Sequence, residues 1–153
     1  MPQSALQQEA PDVTVFIAAR HESIRAALWQ LLDGEAGIEP LAATADLTDM
    51  VRLLGWLRPA VVVVEQSVLR SAGLDALATL VEVAPQAAFI VVGMHDDPGY
   101  VAWARDAGAV DYVCLDEAVD RLGPSVIEAA APRAEPIVPP SNSMRLRTDS
   151  SNP

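Results

Sequence analysis

Apolar runs and amphipathic stretches alternate along this chain. Val13–Ala18 is a short β-branched and apolar run. From His21 to Leu32, the apolar residues Ile24, Ala27, Leu28, Leu31 and Leu32 recur at helical spacing and predict one buried face. Gly34 and Gly37 end that helix, and Glu39–Ala43 is a weaker strand candidate. Asp46 is placed to cap a helix reaching Leu57, with Met50, Val51 and Leu54 facing inward. Pro59 leads into Ala60–Val64, the most strongly apolar β-branched run. A helix from Leu74 to Ala84 follows, with Leu74, Leu77, Leu80 and Val81 inward, and then the apolar strand Ala88–Val92. Asp97-Pro98 sets a capping residue before a proline at the first helical position, and this fourth helix runs to Ala107 and stops at Gly108. Val110–Cys114 is a fifth strand. A last helical stretch lies between Asp116 and Ala131, where Gly123-Pro124 predicts either two short pieces or a helix that begins at Pro124.

The order is strand then helix, five times. Continuous apolar strands alternating with amphipathic helices predict an α/β fold whose parallel sheet is covered on both faces. Five units are too few for a closed eight-stranded barrel, so an open, doubly wound five-stranded sheet is expected. Ligand chemistry in that architecture sits at the carboxyl ends of the strands, near the point where the strand order reverses. Residues 1–11 read as a disordered leader, 12–131 as the domain, and the Pro-, Ser- and Asn-rich residues 132–153 as a disordered tail or linker.

Composition narrows the function. The 153 residues suit one domain, and with 51% of them hydrophobic a sizeable core can form. No apolar run approaches the roughly 20 residues needed to cross a bilayer, so no membrane association is expected. The N-terminal stretch lacks the basic flank and apolar core of a secretory signal. Cys114 is the only cysteine, which excludes an intrachain disulfide. A cytoplasmic location is the simplest expectation. The net charge of −11 opposes phosphate backbones, so this chain is not expected to bind nucleic acid directly. All ten basic residues are arginine, with no lysine anywhere.

Within this frame, the stretch His95-Asp96-Asp97-Pro98-Gly99-Tyr100-Val101, then Ala107-Gly108-Ala109 and Tyr112, together with the Arg58-Pro59 lead into strand three, resembles the receiver domains of bacterial response regulators. The likeness is to the NarL/FixJ-type subfamily of the CheY-like superfamily, and it runs from Val15 to Ala131. It implies a flavodoxin-like (βα)5 fold. It also implies a set of roles: two acidic residues after strand one for Mg²⁺, an aspartate ending strand three as phosphoacceptor, a hydroxyl after strand four, and a lysine after strand five. Such a site neutralises charge on a moving phosphoryl group with a metal and cations.

The chain departs from the family at each of these positions. The acidic pair aligns with Ala19 and Arg20, the acceptor with Glu65, the hydroxyl with Gly93 and the lysine with Leu115. A methyl group and a guanidinium cannot supply the oxygen donors that Mg²⁺ requires. The resemblance therefore implies a pseudo-receiver without metal, cofactor or enzymatic activity. The family's switch aromatic aligns with Tyr112, whose motion loses its coupling once the hydroxyl is Gly93.

Several replacements for the switch are open. Arg20 and Glu65 are expected to form an ion pair across the vacated pocket; alternatively each reaches solvent separately. His21, Glu65, His95 and Asp96 share one sheet edge, where transition-metal binding and unrelated surface histidines are both readings, and no metal is expected. Cys114 reads as a buried structural thiol, since nothing basic beside it lowers its pKa. Trp29, Trp56 and Trp103 read as partly buried packing residues, with Trp103 placed to anchor a partner.

The leading expectation is a phosphorylation-independent protein-interaction module acting through the fourth helix, fifth strand and following segment. The resemblance implies protein partners: a sensor kinase, another regulator, or a second copy of the chain. The alternative is the receiver part of a transcription regulator whose helix-turn-helix domain lies outside this chain. A small-ligand sensor is a third class. A hydrolase lacks its Gly-x-Ser-x-Gly elbow, and a nucleotide site lacks glycine in the turn Ala18-Ala19-Arg20-His21.

Overall fold

A computed structural model describes residues 12–73, 75–94 and 97–131. The expected leader and tail, Leu74, His95 and Asp96 lie outside the described residues. The elements are β1 (Val13–Ala18), α1 (Glu22–Asp33), β2 (Ile38–Thr44), α2 (Leu47–Leu57), β3 (Val61–Glu65), α3 (Gln66–Ala72), α4 (Ala76–Val83), β4 (Ala88–Gly93), α5 (Pro98–Asp106), β5 (Asp111–Cys114), a 3-10 turn (Leu115–Glu117) and α6 (Ala118–Ala130). The five strands are parallel, in the order β2-β1-β3-β4-β5. This is the open, doubly wound five-stranded sheet that the alternation predicts.

Strand residues of opposite parity feed two separate cores. Phe16, Ala18, Val62, Val64, Phe89, Val91 and Tyr112 pack beneath α2, α3, α4 and α5. Val15, Ile17, Val61, Val63, Ile90, Val92 and Val113 pack beneath α1 and α6. Since side chains alternate across a strand, burial on both faces requires a continuous apolar run. Val61–Val64 are all fully buried, and at roughly 1.5–3 kcal/mol per buried valine this central strand anchors the sheet.

Four expectations are corrected here. The helix predicted from Leu74 to Ala84 is the shorter α4, and a helix that the sequence did not predict, α3, precedes it and ends at Gly73, whose φ of 110° no ordinary helical residue adopts. The predicted break at Gly123-Pro124 does not occur, because α6 runs continuously through Pro124. The proline and Asp120 are both exposed, so the Asp120 carbonyl that loses its partner lies on the face open to water. Ala27 and Val51 are exposed, because α1 buries only Leu28 and Leu32, and α2 only Met50 and Leu54. Trp56 is 80% exposed rather than packed, whereas Trp29 and Trp103 are half-buried against the two cores.

Candidate functional site

The strand order reverses between β1 and β3, so a crevice opens where the chain leaves these strands. Ala19 and Arg20 follow β1, Glu65 ends β3, Gly93 ends β4 and Leu115 follows β5. All five sequence-singled residues therefore stand at one end of the sheet.

Their chemistry is not that of a cation site. Ala19 is fully buried, and its carbonyl accepts a hydrogen bond from Arg25 Nη1 at 2.9 Å. The same guanidinium nitrogen reaches the Arg20 carbonyl at 3.4 Å. A fixed positive charge thus holds the turn after β1. Arg20 is exposed and shares a shallow hollow with Ser67, Arg70 and Ser71.

Glu65 is only 3% exposed, and its Oε1 accepts a hydrogen bond from the Ser67 hydroxyl. The expected Arg20–Glu65 ion pair does not form: no ion pair within 4.0 Å joins them among the described residues. The reason is local. Helix α3 starts directly after Glu65 and brings a serine hydroxyl back over the carboxylate, while Arg20 remains outside in solvent. Mg²⁺ does not fit this set, because a methyl and two guanidinium groups stand where hard oxygen donors are needed.

Gly93 and Tyr112 form the centre of the site. A β-carbon on Gly93 would clash with the Tyr112 hydroxyl, and it would stand 2.7 Å from Tyr112 Cζ and 2.5 Å from Gln66 Oε1. The tyrosine fills the space that a side chain at position 93 would take. Its hydroxyl donates to Gln66 Oε1 at 3.4 Å, and the ring is 5% exposed within the core. Leu115 is half-buried against the core beneath α1 and α6, in the 3-10 turn after β5.

Cys114 is buried, and its thiol donates to the Met94 carbonyl at 3.4 Å. Its pKa is raised, first by the hydrogen bond with the Asp116 side chain and then by burial, with the negative charges of Asp116 and Glu117 adding to the effect. No group of three or more His, Cys, Asp or Glu residues is arranged to hold a metal among the described residues. His21 is exposed, while His95 and Asp96 lie outside the described residues.

On the helix that the sequence suggested for partner binding, Trp103 meets Tyr100 edge to face, with centroids 6.1 Å apart at 81°. The Arg70 guanidinium lies 5.7 Å over the Tyr100 ring. At the start of β5, Asp111 joins three elements. Ser125 Oγ donates to it at 2.6 Å, Arg105 lies 3.5 Å away and Arg121 lies 3.7 Å away.

Sequence reasoning missed Arg25, Gln66, Ser67, Arg70 and Asp111. Four of them are hidden for specific reasons. Residues 66–72 contain only two inward apolar side chains, Val68 and Leu69, too few for a periodic signal, so Gln66, Ser67 and Arg70 read as loop. Arg25 reads as an ordinary exposed helix residue. The abrupt polar run Glu65-Gln66-Ser67 after four valines is the one available hint.

The response regulator receiver domain model matches residues 15–124. The chain is 28% identical over 124 residues to the transcriptional regulatory protein MctR of Rhizobium johnstonii, covering 80% of this chain and 57% of that protein. Its backbone is similar to the signal receiver domain of NarL from Mycobacterium tuberculosis, with a TM-score of 0.72 and 18% identity over 80% of this chain and 99% of that one. The receiver domain of CheB from Thermotoga maritima gives 0.69 and 17%, over 78% and 96% of the two chains. At these identities the likeness to solved structures is one of fold. No helix among the described residues is long and apolar enough to cross a membrane.

Proposed function

This chain belongs to the response regulator receiver domain family, and we propose that it is a pseudo-receiver, a cytoplasmic protein-interaction module that works without phosphorylation. Receiver domains are signalling modules that act on other proteins, and the same role is assigned here with a different control. The observation that carries this reading is the Tyr112 hydroxyl in the space of the missing side chain at Gly93. In this site the family's hydroxyl is replaced by the family's own switch aromatic. The ring is held inward by packing and by Gln66, so no phosphoryl group is needed to draw it in.

The rest of the pocket supports the same reading. Ala19 and Arg20 supply no carboxylate, Arg25 holds the adjoining carbonyls, Glu65 is turned onto Ser67, and Leu115 offers no cation. A phosphoryl group on Glu65 would be buried without a metal or lysine to offset its charge, which is costly. The interaction surface assigned to the module is α5, β5 and the following segment, with Trp103 half-buried on it. A sensor kinase, another regulator or a second copy of this chain would dock there.

The test is a two-dimensional amide NMR titration with Mg²⁺ and beryllofluoride, which mimics a phosphoryl group. The expected result is no saturable shift at residues 19–21, 65, 93–94 and 112–116. Specific shifts there would mean that the phosphorylation site is alive. Trp103→Ala should weaken self-association or partner binding by about tenfold if it is an anchor, while Tyr112→Ala tests the same surface from within. Unchanged association in both would reject that face.

A second reading is favoured by one observation. The chain spans 57% of the length of MctR, a transcriptional regulatory protein. This domain would then be the receiver part of a transcription regulator with a helix-turn-helix domain beyond it. Sequencing the natural transcript past the codon for Pro153 separates the two.

A further inference from the structure

Beside the vacated phosphorylation site, a cleft of about 290 Å³ opens between α3 and α5. Leu69, Tyr100 and Trp103 give it apolar walls, and Gln66, Arg70 and Asp97 supply its polar groups. We propose that this cleft binds a small aromatic carboxylate, with the ring against Tyr100 and Trp103 and the carboxylate facing Arg70 and the Gln66 amide.

Three observations converge on that ligand. The first is an unpartnered donor. Gln66 is 4% exposed, its Oε1 meets Tyr112, and its Nε2 has no hydrogen-bond partner among the described residues. A buried donor without an acceptor is costly, and native proteins rarely leave one. An acceptor brought by a ligand would satisfy it. The second is charge. Arg70 stands exposed at the cleft, also a pure donor, while the carboxylate of Asp97 already accepts the Gly99 amide at 2.8 Å. Arg70 and the Gln66 amide thus offer donors at one part of the lining, against the single carboxylate of Asp97, so an acceptor-rich anion is held by Arg70 and Gln66 and stays clear of Asp97. The third is shape. Tyr100 and Trp103, set edge to face, both line the cleft, so a third ring can pack against them while the Arg70 guanidinium lies over the Tyr100 ring. The volume lies at the low end of small-molecule sites, about 300–1,000 Å³, which fits one or two fused rings.

The site has a built-in readout. The amide that would meet the ligand also meets Tyr112, so occupancy is felt at the ring that fills the Gly93 space. The binding proposal itself does not depend on the phosphorylation-independent reading.

The experiment is an NMR titration of the ¹⁵N-labelled chain with three matched probes: 1-naphthoate, neutral 1-naphthamide and cationic 1-naphthylmethylamine, all without Mg²⁺ or beryllofluoride. Naphthoate is expected to bind most tightly, with saturable shifts at the Gln66 side-chain amide, the Trp103 indole N–H and Tyr112. Arg70→Gln, at an exposed position that leaves folding intact, should weaken naphthoate by about threefold and leave naphthamide unchanged. Trp103→Ala should weaken all three by about tenfold. Gln66→Leu, which removes the orphaned amide and preserves apolar volume, should weaken naphthoate and naphthamide together. No saturable shift with any probe, tighter binding of the amine, or shifts that persist unchanged in Trp103→Ala would overturn the proposal. A response to beryllofluoride in the separate experiment would reject the pseudo-receiver reading and leave the cleft untouched.

Discussion

The hydroxyl of Tyr112 stands so close to Gly93 that it would clash with a first side-chain carbon there, so Gly93 and Tyr112 share one space between them. On the next two strands beyond the one that carries the site's carboxylate, this contact helps to set the position of the aromatic ring by volume. Its strength can be measured without knowing any partner.

Alanine in place of a strand glycine ordinarily gains about 0.5–1 kcal/mol through lower chain entropy. At Gly93 overpacking should win, with Gly93→Ala costing about 1–3 kcal/mol in urea unfolding. In the Tyr112→Ala background the same change should cost nearly nothing, a coupling of at least about 1 kcal/mol. Equal cost in both backgrounds would show that the tyrosine is not what occupies the space.

Asp111 has three side-chain partners, besides the Tyr112 backbone amide that donates to it at 2.8 Å, and they should differ in value. The arginine side chains are 54% and 47% exposed at 3.5 and 3.7 Å, and exposed pairs contribute about 0–1 kcal/mol. Ser125 is 7% exposed and donates at 2.6 Å, a charged hydrogen bond worth about 1.5–3 kcal/mol. Ser125→Ala should therefore destabilise more than Arg105→Ala or Arg121→Ala, and its effect should hardly change between low and high salt. The reverse order in chemical denaturation would place the stability in the ion pairs.

Pro124 interrupts the hydrogen bonding of α6 from an exposed position. Pro124→Ala restores a donor and relieves the ring's clash, a gain of up to about 3 kcal/mol. It also frees the unfolded chain, a loss of about 0.4–1 kcal/mol. The net expectation is stabilisation by about 1–2 kcal/mol in thermal or urea unfolding. Destabilisation would mean that the proline itself positions α6.

Cys114 should alkylate slowly. Its thiol pKa is raised, so the reactive thiolate forms above the ordinary thiol value of about 8.5. A raised folded-state pKa means that the fold favours the protonated thiol. That contribution to stability is complete below the unfolded-state pKa and is lost as pH rises through the folded one. Iodoacetamide rates measured against pH should show a midpoint above that of the unfolded chain, and Cys114→Ala should reduce the loss of stability at alkaline pH. A midpoint at or below the unfolded value would contradict the Asp116 hydrogen bond as the cause.

Much of the fold was legible in the chain. Val61–Val64 could be read because a central parallel strand is buried on both faces, which forces a run of apolar residues. Asp97-Pro98 could be read because a helix start has its own local chemistry, and Asp97 does accept the Gly99 amide. Helix α3 could not, since seven residues with two inward side chains produce no period. The unbroken α6 could not either. A proline's local penalty is visible in sequence, whereas Leu122 and Val126, the buried residues on either side of it that hold the helix to the sheet, act only after folding.

The same division runs through the site. The family resemblance and the ends of four strands were enough to place Ala19, Arg20, Glu65, Gly93 and Leu115 together, because a parallel sheet gathers its carboxyl ends on one side. Which side chain meets which was beyond reach. Glu65 turned to Ser67 rather than Arg20, Arg25 took the Ala19 carbonyl, and Tyr112 entered the gap at Gly93. Periodicity and capping are properties of neighbouring residues and survive in the linear chain. Charge pairing and the filling of a gap depend on distances across elements, and those exist only once the sheet and helices have closed.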